Sequence, residues 1–114
     1  MSDWEHIGEV GVDSGQLMVT DPCYVDGEWL PMDESVPPGD GFSEDRIGEY
    51  SYNGACSTTL YTEESAGQLY YKRGHSGAGV VISAGYGDGV YEVLVKRNDE
   101  GRIAELRVVM IEED

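Results

Sequence analysis

Long apolar runs are missing from this sequence of 114 residues. No stretch approaches the roughly 18 residues of a membrane-spanning helix, so we expect no membrane span. The opening Met-Ser-Asp-Trp-Glu-His is acidic and has no apolar segment, so we expect no signal peptide and a cytoplasmic location. Proline is scarce and glycine is not periodic, which excludes collagen-like and low-complexity classes. The length predicts a single domain over residues 1–114.

Basic side chains are also scarce. Seven Lys and Arg stand against 23 Asp and Glu, for a net charge of −16, of which residues 1–50 carry −12. Such a charge repels phosphates and anionic lipids, so we predict no nucleic-acid partner and no membrane partner. Three interpretations of the acidity stay open: halophilic adaptation to a salt-rich cytoplasm, complementarity to a basic protein partner, and divalent cation binding.

The sequence has only two cysteines, Cys23 and Cys56, and two histidines, His6 and His75. No two of these residues have the close spacing of a structural zinc site, and no local motif indicates a nucleophilic cysteine. We interpret the cysteines as reduced, buried small side chains, with a Cys23–Cys56 disulfide as the alternative in an oxidising setting only. We predict no catalytic residue.

Several acidic residues stand beside glycine in loops. Asp13, Asp26 and Asp88 belong to such segments, as does Asn98–Gly101. Hard cations prefer oxygen ligands of this kind, but Asp-Gly pairs are also common turn chemistry and none matches an EF-hand. We therefore predict no metal ligand and no cofactor, and keep Ca²⁺ or Mg²⁺ as the alternative.

Hydrophobic alternation with a period of two runs along much of the chain and predicts strands. Val90–Val95 and Ile103–Ile111 predict a hairpin, to which residues 79–83 add a third strand to make a meander. Ile7–Val12 and Gln16–Thr20 flank Asp-Ser-Gly and predict another hairpin. Further strands are predicted within residues 50–61 and 68–71, and only residues 62–66 favour a single helical turn, with Thr62 as its cap.

These patterns predict an all-β fold: an antiparallel sandwich or partly open barrel of about seven or eight strands, with at most one short helical turn. Residues 21–49 have little periodicity and predict a long irregular acidic excursion, with Trp29 and Leu30 pinning its middle to the core. An exposed edge strand would allow a homo-oligomer.

Five residues form the candidate binding site. Asp13, Asp21 and Asp88 fall at the ends of predicted strands, and Tyr24 and Tyr86 stand in nearby turn-like segments. If two of these turns lie at one end of the sandwich, the side chains form a polar pocket. The alternative is that each aspartate hydrogen-bonds the backbone amides of its own turn.

Residues 84–93 read Ala-Gly-Tyr-Gly-Asp-Gly-Val-Tyr-Glu-Val, and a turn at Asp99–Arg102 and an apolar strand follow. GVDSGQ at residues 11–16 and Asp-Pro at 21–22 stand near the start. These segments resemble an uncharacterised family of bacterial and phage proteins of unknown function, with a GVDSGQ…DP stretch and a C-terminal SGxGDGxYxV signature. Ala84 replaces the preferred Ser, and Glu92 a frequent Pro. The resemblance covers residues 1–24 and 79–114, implies a β-rich fold and supplies no activity.

Three functions are compatible with the sequence. The first is a small non-catalytic acidic β-domain that acts as a binding or regulatory module. The second is a metal-dependent module or enzyme with its site at Asp13, Asp21 and Asp88. The third is an acidic inhibitor or immunity-type partner of a basic protein, which would use the acidic N-terminal half as its contact face.

Overall fold

The computed structural model describes residues 3–31 and 41–112. Over these residues the chain forms six strands and one α-helix, which we number in chain order. The elements are β1 (Trp4–Val12), β2 (Gln16–Thr20), α1 (Tyr52–Leu60), β3 (Ala66–Tyr70), β4 (Ser76–Ser83), β5 (Gly89–Arg97) and β6 (Ile103–Val109). Two short 3₁₀ helices, Pro22–Tyr24 and Glu44–Arg46, lie within the predicted excursion, whose residues 32–40 are outside the described part of the chain.

The strands form two antiparallel sheets of three strands each, in the orders β1-β5-β6 and β2-β4-β3. The structure is thus mostly β, which agrees with the prediction in part. The expectation of at most one short helical turn is wrong, because α1 has nine residues. The described residues contain six strands rather than seven or eight, and neither sheet closes into a barrel. The prediction of about seven or eight strands is wrong because the segment from 50 to 61 is helical. The packing of the sheets as a sandwich stays a prediction.

The chain divides into two compact units, each with one sheet. The first unit combines Met1–Gly15 with Ala84–Asp114, and the second is Gln16–Ser83. This division does not test whether residues 1–114 fold as a single domain, so the single domain stays a prediction. No helix among the described residues has the length and apolar character needed to span a membrane.

Strand positions were predicted better than strand pairing. The β5–β6 hairpin is confirmed, with Val95 opposite Leu106. The N-terminal hairpin and the meander are wrong, because β1 pairs with β5, and β4 pairs with β2 and β3. Alternation determines which side chains share a face but does not choose the neighbouring strand.

The largest correction is α1, which occupies a segment predicted as strand. The Ser51 hydroxyl caps the helix by accepting a hydrogen bond from the Gly54 amide at 2.8 Å. Inside the helix, the hydroxyls of Ser57 and Thr58 donate to the carbonyls four residues earlier. Ser57 and Thr58, which lie in the segment predicted as strand, therefore satisfy their hydroxyls within the helix.

The predicted helical turn at residues 62–66 is a plain turn. The Ser65 amide donates to the Thr62 carbonyl at 3.3 Å, Ser65 has a positive φ of 56°, and β3 begins at Ala66. The left-handed conformation of Ser65 ends the turn before helical hydrogen bonds are made.

Aromatic side chains pack against the hydrophobic core of the second unit. Its buried side chains are Tyr50, Ala55, Leu69, Ala78 and Val81. Trp29 packs edge-on against Tyr50 with ring centroids 4.9 Å apart, and the Leu30 amide donates to the Tyr50 carbonyl at 2.9 Å. These contacts confirm that Trp29 and Leu30 attach the excursion to the core.

Candidate functional site

The five predicted site residues are divided between the two units. Asp13, Tyr86 and Asp88 belong to the first unit, whereas Asp21 and Tyr24 belong to the second. Within the first unit, two turns lie side by side at the end of the sheet where Val12 pairs with Gly89. We call residues 13–15 together with residues 84–88 the double turn.

Hydrogen bonds between its two halves hold the double turn together. An Asp88 carboxylate oxygen accepts from the Gly15 amide at 2.8 Å, and the Gly15 carbonyl accepts from the Ala84 amide at 2.9 Å. Asp88 therefore bonds the neighbouring turn rather than its own, which departs from the own-turn alternative. Gly15 supplies this geometry with a φ of 70°, a conformation that favours glycine.

Residues 84–88, the longer half of the double turn, are also held by hydrogen bonds within the first unit. The Gly87 amide donates to the Ala84 carbonyl, and the Tyr91 hydroxyl lies 3.1 Å from that carbonyl oxygen and 2.5 Å from that of Gly87. A Cβ on Gly85 would lie 2.8 Å from the Met110 carbonyl oxygen, so only glycine fits this approach. The loop is thus held by close backbone packing at Gly85 and by the half-buried Tyr91 hydroxyl.

This hydrogen-bonded loop projects Tyr86 into solvent. Tyr86 is 89% exposed, the highest value among the exposed large hydrophobic side chains of the described residues. Glycines with positive φ stand on both sides of it, at 44° for Gly85 and 105° for Gly87. Asp13 and Asp88 are also exposed, so the double turn presents both an aromatic ring and carboxylates to solvent.

In the second unit, Asp21 serves its own turn, as the alternative interpretation predicted. Its carboxylate accepts from the Cys23 amide at 3.0 Å and caps the first 3₁₀ helix. Local desolvation, together with the Asp21 charge, raises the pKa of the Cys23 thiol above its ordinary value. Cys23 is exposed, contrary to the prediction that both cysteines are buried, and its raised pKa makes it a poor nucleophile near neutral pH.

Tyr24 belongs to an aromatic cluster with Tyr71 and His75. The Tyr24 and Tyr71 rings meet edge-on at 4.9 Å, and Tyr71 stacks on His75 at 4.3 Å. The Tyr71 hydroxyl donates to the Gly77 carbonyl at 2.9 Å. Hydrogen bonding with Tyr24, with a smaller contribution from desolvation, raises the pKa of Tyr71 to about 12, so the phenol stays neutral across the physiological range.

A cleft of about 230 Å³ lies beside this cluster and was not predicted from the sequence. Its walls come from three separate stretches of the second unit: Glu28, Leu30, Gly48, Glu49, Tyr50, Tyr70, Tyr71 and Lys72. Its carboxylates already have protein partners, since Glu28 accepts from the Lys72 amide at 2.9 Å and Glu49 accepts from the Ser51 hydroxyl at 2.7 Å. No local motif joins these stretches, so the sequence carried no signal for the cleft.

The described residues contain no group of three or more His, Cys, Asp or Glu side chains that could hold a metal ion. One Asp88 oxygen and one Asp21 oxygen each bond a backbone amide instead. The Ca²⁺ or Mg²⁺ alternative stays a prediction, which a titration monitored by melting temperature would test.

Comparison with known proteins adds no relative: no family model, curated protein or solved structure matches the chain. The resemblance to the uncharacterised bacterial and phage family therefore stays a prediction based on its two sequence segments.

Proposed function

We propose that the protein is a non-catalytic binding module that recognises a basic protein segment through the double turn. The observation that carries this proposal is Tyr86, an aromatic side chain that is 89% exposed on a loop fixed by hydrogen bonds to its neighbours. The cytoplasmic location expected from the sequence is part of the same proposal.

Pre-organisation is the first reason to assign binding to this loop. A flexible loop loses conformational freedom when it binds, and that loss weakens affinity. Asp88, Gly15 and Tyr91 hold the loop before any partner arrives. Exposed, rigidly presented tyrosines are typical anchors of protein interfaces, because a large ring gains contact area at little entropic cost.

Charge supports a basic partner. The face of an aromatic ring attracts the guanidinium of arginine or the ammonium of lysine, by about 0.5–1 kcal/mol at an exposed site. Asp13 and Asp88 stand in the same double turn as Tyr86, and the chain carries a net charge of −16. The electrostatic field of this net charge speeds association with a basic partner, and the ring and carboxylates define where on the surface the partner binds.

The experiment is a titration of isotope-labelled protein with an oligo-arginine peptide, followed by NMR chemical shifts at about 0.15 M salt, where long-range attraction is largely screened. We expect the largest shifts at the amides of residues 13–15 and 84–88. Tyr86→Ala should weaken this binding about two- to fivefold, the change in affinity that corresponds to losing the cation–π contact. Tyr86→Phe keeps the ring and should bind nearly as well as the wild type.

Tyr61→Ala is the matched control, because Tyr61 is an exposed tyrosine of the second unit. Both alanine variants should keep the unfolding free energy within about 0.5 kcal/mol, as exposed side chains usually do. Shifts spread evenly over the acidic surface, with Tyr86→Ala binding as well as the wild type, would show that the attraction is only non-specific charge.

A further inference from the structure

Strand β6 is the outer strand of the first unit's sheet. It pairs with β5 on one side only, in the order β1-β5-β6. Residues 103–107 are all exposed, and among them Ile103 is 57% and Leu106 53% exposed. A strand with one unpaired backbone edge can accept another strand, and exposed apolar side chains add to that tendency.

Two opposite charges stand on one face of β6. Glu105 lies opposite Lys96 of β5, and Arg107 lies opposite Leu94. Since side chains alternate along a strand, both project on one face and Leu106 between them projects on the other. The Arg107 guanidinium lies 4.0 Å from the centre of the Trp4 ring on β1, so it reaches across β5. Pairing with a second copy requires this exposed side chain to turn towards the free edge of β6.

This order of charges is self-complementary in one register. When two copies of a strand pair antiparallel about a two-fold axis, one residue lies opposite itself, and residues equally far on either side lie opposite each other. With Leu106 on the axis, each Glu105 lies opposite the Arg107 of the other copy, and the two Leu106 side chains meet on the other face. Oppositely charged cross-strand pairs of this kind are stabilising.

The neighbouring registers are unfavourable. With Glu105 on the axis, two glutamates lie opposite each other, and with Arg107 on the axis, two arginines do. Like charges directly opposite destabilise a strand pair. Charged residues on an edge usually discourage pairing, but here both signs occur two residues apart. Of the three registers centred on residues 105, 106 and 107, only the one centred on Leu106 avoids like charges.

We propose that the edge of β6 is an interface for a second copy of this chain, with Leu106 on the two-fold axis and two Glu105–Arg107 cross-strand pairs. The two sheets would then join into one of six strands. The register of β6 with β5 skips Ala104, so the symmetric contact is short. It therefore buries less than the roughly 1,000 Å² of a tight interface, and the dimer is weak and concentration-dependent.

The test uses two opposite charge reversals, Glu105→Arg and Arg107→Glu, with sedimentation equilibrium from micromolar to millimolar protein. Each variant alone places like charges opposite in both cross-strand pairs, so its self-association constant should fall at least about tenfold. Mixed together, the two variants place arginine opposite glutamate in both pairs, so the mixture should associate as strongly as the wild type.

Glu63→Arg and Arg73→Glu are matched controls, because they make the same charge changes at exposed positions of the second unit. These controls should leave association near the wild-type level, and thermal melts check that every variant is folded. A wild type that stays monomeric at millimolar concentration would overturn the proposal. So would two variants whose mixture associates no better than either alone. The proposal does not depend on Tyr86, so its outcome is separate from that of the peptide titration.

Discussion

Gly54 lies where α1 passes directly over the backbone of residue 49, and it offers the sharpest test of the helix. A Cβ at position 54 would lie 1.9 Å from the Glu49 carbonyl oxygen and 2.6 Å from its carbonyl carbon. Atoms this close must move apart, and the obstacle is backbone rather than the flexible end of a side chain. We therefore predict that Gly54→Ala destabilises the protein.

Two effects of opposite sign decide the magnitude. Alanine favours a helix interior by about 1 kcal/mol over glycine, which on its own would stabilise the variant. Overpacking usually costs about 1–3 kcal/mol, and a clash with backbone falls at or above the upper end of that range. The expected net loss is about 2 kcal/mol, or a fall in melting temperature of roughly 10 °C.

The assay is urea and thermal unfolding followed by circular dichroism. Gly27→Ala is the control, because a Cβ there would meet nothing within 4 Å; its unfolding free energy should change by no more than about 0.5 kcal/mol. A Gly54→Ala variant that is as stable as the wild type, or more stable, would show that α1 does not lie against residue 49.

Two further predictions concern titratable groups. Asp21→Asn keeps an oxygen to cap the 3₁₀ helix but removes a charge that raises the pKa of the Cys23 thiol. The thiol of the variant should therefore react faster with an alkylating reagent near neutral pH. An unchanged reaction rate would contradict this effect of Asp21. Tyr71 has a folded pKa of about 12 against an ordinary value of 10.0. Above pH 10 the unfolded chain therefore releases this proton first, and stability should fall as the pH rises towards 12. Tyr71→Phe should flatten that alkaline fall in unfolding free energy, and an equally steep fall in the variant would contradict the assignment.

Local patterns predicted the β5–β6 hairpin because its signals are close together in sequence. Alternation defines both strands, and the turn between them has Gly101 at a φ of 83°, a conformation that favours glycine. The Asn98 side chain reinforces this turn by accepting from the amides of Glu100 and Arg102. Here local preference and tertiary pairing agree, so sequence reasoning was sufficient.

Tertiary contacts decided the features that the sequence did not predict. α1 depends on Gly54 fitting against residue 49 and on the buried Thr58 hydroxyl, which accepts from the Gly48 amide at 2.9 Å. The Asp88–Gly15 hydrogen bond joins residues 73 positions apart. The sequence did identify Asp13, Tyr86 and Asp88 as turn residues near strand ends, but their shared position depends on β1 pairing with β5.

Backbone ¹⁵N relaxation of residues 84–88 measures whether the double turn is rigid before it binds. The hydrogen bonds of Asp88 and Tyr91 predict order parameters near those of the strands, about 0.85. They also predict slow hydrogen exchange at the Gly15 amide. Order parameters below about 0.6 across this loop would contradict the pre-organisation on which the binding proposal rests.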